Sequence, residues 1–90
     1  MRYVWDEAKH QRNIQDRGYG FDYAAHIFDG PVSQWEDTRF SYPEVRIIAV
    51  GRVDRRFLTV VYTDTDDARR IISSWPSNRK ERRRWAEIHG

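Results

Sequence analysis

The chain contains no cysteine, which removes disulfide frameworks and thiolate metal sites at once and fits a reducing compartment. Long apolar runs are missing too. Nothing approaches the ~20 residues of a membrane span, and Met1-Arg2-Tyr3-Val4-Trp5 passes straight into charged residues rather than a signal-peptide stretch. A soluble, cytoplasmic protein with no membrane association is therefore expected. The five glycines form no phosphate-cradling loop, and nucleophile-elbow, HExxH and EF-hand spacings are absent. His10, His26 and His89 are scattered without metal-ligand spacing, so neither a cofactor nor a metal ion is expected. Lysine is scarce: 14 of the 16 basic residues are arginine, leaving only Lys9 and Lys80.

What remains suits one domain over residues 1–90 with a modest core. A hydrophobic fraction of 39% and 14% aromatic residues argue against disorder. The net charge of +2 hides an asymmetry: residues 1–45 carry −3 and residues 46–90 carry +5. The planar guanidinium matches phosphate and carboxylate oxygens, so the second half is the expected polyanion face. Genomic base composition also enriches arginine, and the bias alone identifies no ligand.

Tyr3-Val4-Trp5 reads as a short strand, with Asp6 as N-cap of a helix to about Arg17, ended by Gly18 and Gly20 in left-handed backbone. A second helix restarts at Phe21 with Asp22 as cap and closes at Asp29-Gly30-Pro31. Val32–Glu36 suits a strand. Glu44–Gly51 and Phe57–Thr63 are β-branched runs flanking a turn at Val53-Asp54-Arg55-Arg56, the pattern of an antiparallel hairpin. Arg69–Trp75 reads as the last strand, stopped by Pro76, before a helix capped by Ser77 with Glu81 in its first turn. The order β-α-α-β-β-β-β-α predicts an α+β fold: a small, mostly antiparallel sheet with helices packed on one face.

Strand alternation would place Glu44 and Arg46 on one face, about 7 Å apart, and Arg70 beside them if its strand neighbours the hairpin in register. A carboxylate with two arginines suits phosphoryl transfer. A cross-strand ion-pair ladder fits the same pattern. Arg79, Lys80, Arg82, Arg83 and Arg84 put five positive charges into six residues, suited to phosphate capture or to a solvated helix face. Trp5, Trp35, Trp75 and Trp85 suit core packing more readily than base stacking.

Trp5-Asp6 with Lys9 and Asn13, Phe21 with Ala24-Ala25, Phe28-Asp29-Gly30-Pro31, Glu44 with Arg46, Gly51, and Tyr62-Thr63 together form a pattern. It continues through Arg70-Ile71-Ile72-Ser73, Asn78, Glu81-Arg82 and Trp85. Over nearly its whole length the chain resembles the BrnT toxin family. That resemblance implies a RelE-like fold and RNA cleavage that stops translation. It also implies a BrnA-like ribbon-helix-helix antitoxin, in a heterotetramer with two copies of each chain, that neutralises the toxin and carries it to operator DNA. The family's charged positions carry over as Lys9, Glu44, Arg46, Arg70, Glu81 and Arg82. One departure stands out: family members usually follow the Arg70–Ser73 segment with Ala-Arg and another basic residue, whereas this chain has Ser74-Trp75-Pro76.

The resulting expectation is a metal-independent endoribonuclease with Glu44 as base and Arg46 and Arg70 stabilising charge. Lys9 or the helix arginines Arg79, Arg82 and Arg83 would bind RNA, and the general acid is unassigned. The alternative is a weak or inactive module that binds RNA or the antitoxin.

Overall fold

The computed structural model describes residues 1–90. Strand β1 (Tyr3–Trp5) leads into α1 (Glu7–Arg17) and α2 (Phe21–Ala24), which tightens into a 3-10 turn over Ala25–Asp29. Strands β2 (Ser33–Glu36), β3 (Ile47–Val53), β4 (Arg56–Asp64) and β5 (Arg69–Pro76) follow, then α3 (Arg79–His89). This is the anticipated α+β order. The five strands run β1-β5-β4-β3-β2 across the sheet, with β1 parallel to β5 and every other pairing antiparallel.

Local chemistry explains the helix boundaries. The Asp6 carboxylate accepts from Lys9 N at 3.1 Å and starts α1, while Gly18 ends it at φ +82°. Gly20, expected to serve the same purpose, has φ −99° and caps α2 instead of Asp22. Its small size has another reason. A Cβ on Gly20 would lie 2.2 Å from His10 Cε1, because the buried His10 ring stacks on Trp5 and its Nδ1 accepts from Phe21 N at 2.9 Å. The cap of α3 is Asn78 rather than Ser77, since Asn78 Oδ1 accepts from Glu81 N (2.8 Å) and Glu81 Oε1 accepts from Asn78 N (2.9 Å). That is a reciprocal capping box, worth more than a lone hydroxyl.

Register assigns the two faces of the sheet. Ala49, Val60, Leu58, Tyr62 and Ile71 point to one side, where Tyr19, Phe21, Ala24 and Ile27 from the α1-to-3-10 segment complete the main core. The expectation that all helices share this face is corrected by α3. Its Trp85 packs edge-on against Phe57 at 5.1 Å, and Phe57 alternates with Leu58, so α3 covers the opposite face. Trp85 Nε1 donates to Pro31 O at 3.0 Å, tying the helix to the lead-in of β2.

The β3–β4 hairpin closes through Asp54 (φ 56°) and Arg55 (φ 91°), the two left-handed residues of a type I′ turn. At β5 the ladder shifts: Val61 faces Ser73 but Tyr62 faces Ile71, leaving Ile72 as the extra residue of a bulge. Arg70, Ser73 and Trp75 thereby share the face opposite the main core, although Arg70 and Trp75 are an odd five positions apart.

Two substitutions should move stability in opposite directions in urea unfolding. Gly20→Ala is expected to cost about 2–3 kcal/mol by driving a methyl into the His10 ring. Arg55→Gly, at an exposed position where a side chain disfavours the backbone, should add about 0.5–1 kcal/mol.

Candidate active-site cleft

Glu44 and Arg46 do not belong to a strand, since β3 begins at Ile47. They lie instead at the end of a ten-residue crossing, residues 37–46, that links β2 to β3. The 7 Å separation expected from alternation is replaced by direct contact: Arg46 Nε donates to Glu44 Oε1 at 2.9 Å. Thr63 fixes this segment, giving its hydroxyl proton to Val45 O at 2.8 Å, and Thr63 is the cross-strand partner of Arg70. One threonine thus delivers the residues flanking Val45 to the strand position that carries Arg70.

The result is a small cleft of about 80 Å³ lined by Asp6, Lys9, Glu44, Arg46 and Arg70, with Ile71 and Ile72 as the apolar wall. Lys9 enters from α1 because its Nζ donates to Ile72 O at 3.4 Å, just beyond the last β1–β5 pair, Trp5 with Ile71. Neither Lys9 nor Arg70 has a carboxylate partner. Two cations without an ion-pair partner, beside a Glu–Arg pair, have the chemistry to hold a small oxyanion. Arg69, next in sequence, is spent differently: it makes a bidentate pair with Asp64 (2.7 and 3.0 Å) and lies over the Tyr62 ring at 4.0 Å.

The helix arginines are elsewhere. Arg79, Arg82 and Arg83 are exposed on α3 and line no part of this cleft; Arg83 borders a separate, broad groove with Trp35, Asn78 and Glu87. Glu81 is occupied by its capping box and by Trp75 Nε1, which donates to both carboxylate oxygens at 3.2 Å. Its contacts are those of a structural strut. His26 pairs with Asp29 and His89 meets Val32 O, so the three histidines serve separate local contacts.

Sequence reasoning gave no role to Asp37, Arg39 or Tyr42, yet they hold the crossing in shape. The Asp37 side chain is fully buried and accepts from Arg39 N, Nε and Nη2 at 2.8–3.1 Å and from Tyr42 Oη at 3.1 Å. Asp37 N donates to Arg46 O at 2.7 Å, closing the loop on itself. The Arg46 guanidinium covers the Tyr42 ring at 4.1 Å. No local motif signals such a set, because its members meet only once the crossing is closed.

Hydrogen bonding from Arg39 brings the Asp37 carboxyl down to about 2 from its ordinary 3.8. A carboxyl with a depressed folded-state pKa stabilises fully above its unfolded value and loses that contribution as pH falls through the folded one. Unfolding free energy should therefore drop between about pH 4 and pH 2. Asp37→Asn should remove about 1–2 kcal/mol at pH 7, because half-exposed Arg39 softens the pair, and should flatten that acid limb. Urea titrations at pH 7, 4 and 3 on both proteins check it; an equally steep limb in the variant would assign the acid sensitivity to another carboxylate.

No helix of the structure is long and apolar enough to cross a membrane. No curated protein matches the chain significantly. A family model described as the ribonuclease toxin BrnT of type II toxin-antitoxin systems matches residues 5–81, a span that includes Lys9, Glu44, Arg46, Arg70 and the α3 capping box. The chain belongs to the BrnT family of ribonuclease toxins.

Proposed function

We propose that the Glu44–Arg46–Arg70 cleft cleaves RNA without a metal ion and that the chain is the translation-blocking toxin of its pair. The observation that carries this reading is convergence: α1, the 37–46 crossing and β5 each contribute to one cleft a residue suited to phosphoryl transfer. Glu44 takes the ribose 2′-hydroxyl proton, and the 2′ oxygen forms a bond to the adjacent phosphorus. The bond from phosphorus to the 5′ oxygen breaks as a general acid protonates that oxygen, leaving a 2′,3′-cyclic phosphate and a 5′-hydroxyl. Arg46 and Arg70 bear the charge that builds on the phosphorane oxygens, and Lys9 positions the phosphate. Side-chain cations supply the stabilisation that a metal ion would supply in other nucleases.

Arg79, Arg82 and Arg83 extend the electrostatic reach of the protein along α3 and help gather RNA from solution, without touching the reacting phosphate. A BrnA-like antitoxin with a ribbon-helix-helix domain silences the toxin in the cytoplasm. Two copies of each chain follow from dimerisation of such a domain, which also makes the contact with operator DNA.

A second reading is favoured by Ser74-Trp75-Pro76, the stretch where the family's usual basic residues are missing. Ser74 is buried against the Tyr19 hydroxyl, and the guanidinium that lies over Trp75, that of Arg39, is neutralised by Asp37. The stretch therefore adds no free cation, which suits a weak toxin or an RNA-binding module.

Purified chain incubated with RNA in excess EDTA separates the two. The proposed function gives fragments ending in cyclic phosphate, with Arg46→Ala and Arg70→Ala each lowering the rate about 10²–10³-fold and Glu44→Gln at least 10²-fold, all with wild-type circular dichroism. Cleavage that survives both arginine substitutions would overturn the assignment. Salt-sensitive binding without products would establish the second reading.

A further inference from the structure

Glu44 and Arg46 line a second concavity besides the cationic cleft. It measures about 340 Å³, is lined throughout by residues of the crossing and the end of β2, and includes Phe40, Tyr42, Pro43 and Val45. The first is small and charged; the second is about four times larger and mixed, with its apolar side chains beside polar residues that include the Glu36, Asp37 and Glu44 carboxylates.

At 69%, with Val45 second at 60%, Phe40 is the most exposed large apolar side chain of the crossing. It meets Tyr42 at a near right angle, with ring centroids 6.0 Å apart. Tyr42 is itself immobilised, its hydroxyl on Asp37 and its ring under Arg46. The backbone on either side is fixed by Arg39 N donating to Asp37 and by Asp37 N donating to Arg46 O. An apolar ring left mostly in water gains little for folding, whereas one braced by Tyr42 on a loop tied at both ends can stack at reduced entropic cost.

We infer that Phe40 is a stacking platform for one unpaired nucleobase of the RNA, placed so that the phosphate next to that base enters the Lys9–Arg46–Arg70 cleft. This rests on the proposed RNA-cleaving reading of the cleft and adds to it a positioning residue and a substrate class, single-stranded or splayed-out RNA. Stacking on a π-face tolerates every base, so the platform sets strandedness and register rather than sequence. Arg46 joins the two subsites: one side of its guanidinium covers Tyr42, and its Nε binds the Glu44 carboxylate.

The test uses a short single-stranded oligoribonucleotide with one cleaved bond, and a series in which each base near that bond is replaced in turn by an abasic residue. Phe40→Ala should lower kcat/KM about ten- to hundredfold, chiefly through KM, and Phe40→Trp should restore it. One abasic position should impose the same loss on the wild type and almost none on Phe40→Ala, the non-additivity of two partners in one contact. Losses that multiply at every position would overturn the stacking contact. Anisotropy with the same oligonucleotides keeps this separate from the catalytic reading. Wild-type chain that binds without cutting, yet shows the same Phe40–abasic coupling in Kd, retains the subsite while the catalytic assignment falls. Unchanged RNA affinity in Phe40→Ala overturns the platform and leaves the ring to a protein partner.

Discussion

Thr63 sits on the sheet face opposite the main core, across the ladder from Arg70, and its hydroxyl proton goes to the carbonyl of Val45. That bond ties the far end of a ten-residue crossing to the strand pair beneath it. Without it, the side-chain tie from the crossing to β5 would be Arg39, whose guanidinium lies over the Trp75 ring. Further supports are internal to the loop: Asp37 gathers Arg39 and Tyr42, and its amide returns to Arg46 O. These shape the crossing, while Thr63 anchors it. Such a division resembles functional sites in general, in which a precise arrangement depends on the residues behind the reacting groups.

The β5 bulge contributes a second constraint. A regular strand alternates strictly, so Arg70 and Trp75 would project to opposite faces. The extra residue, Ile72, resets the alternation and sends both to the face crossed by residues 37–46. It also leaves Ile72 O past the last β1 pairing, where Lys9 binds it. One irregularity therefore places Trp75 against Glu81 and under Arg39, and gives the α1 lysine a backbone anchor at the cleft. Bulges are frequent beside active sites for this reason: they redirect side chains without dismantling the sheet.

Local signals were enough for much of the fold. The β-branched runs of β3 and β4, the Asp6 cap, the Gly18 terminator and the order of elements are all short-range features that a single sequence displays. The failures share a cause. Ser77 after Pro76 reads as a cap, yet the reciprocal Asn78–Glu81 pair begins one residue later. A glycine at position 20 suggests a backbone reason, whereas its constraint is the His10 ring, ten residues away. Glu44–Gly51 is a continuous β-prone run that predicts strand from Glu44, whereas β3 begins at Ile47, the partner of Glu36 at the end of β2. The expected association of Glu44 and Arg46 with Arg70 survives this difference, since Thr63 restores through a loop what the strand would provide. Asp37, Arg39 and Tyr42 stayed invisible because a buried carboxylate with four donors has no sequence period.

The arginine bias acquires a physical meaning once the partners are known. Arg69 is stacked on Tyr62 and Phe28, Arg84 on Trp35 at 3.8 Å, Arg46 on Tyr42, and Arg56 over Tyr19 and Tyr23. A planar guanidinium can cover an aromatic face and still donate in its own plane, as Arg46 does to Glu44 and Arg69 to Asp64. A lysine ammonium in the same places would forfeit the fork. With no cysteine and a modest core, the protein uses these stacked, hydrogen-bonded arginines to cover its aromatic rings at the surface. Arg70 makes neither kind of contact, and in this it is like Arg12, Arg17, Arg55, Arg79, Arg82 and Arg83. Place sets Arg70 apart from those arginines: its free donor set lines the cleft of Lys9, Glu44 and Arg46, and availability joined to position, more than the count of positive charges, fits that cleft to a ligand.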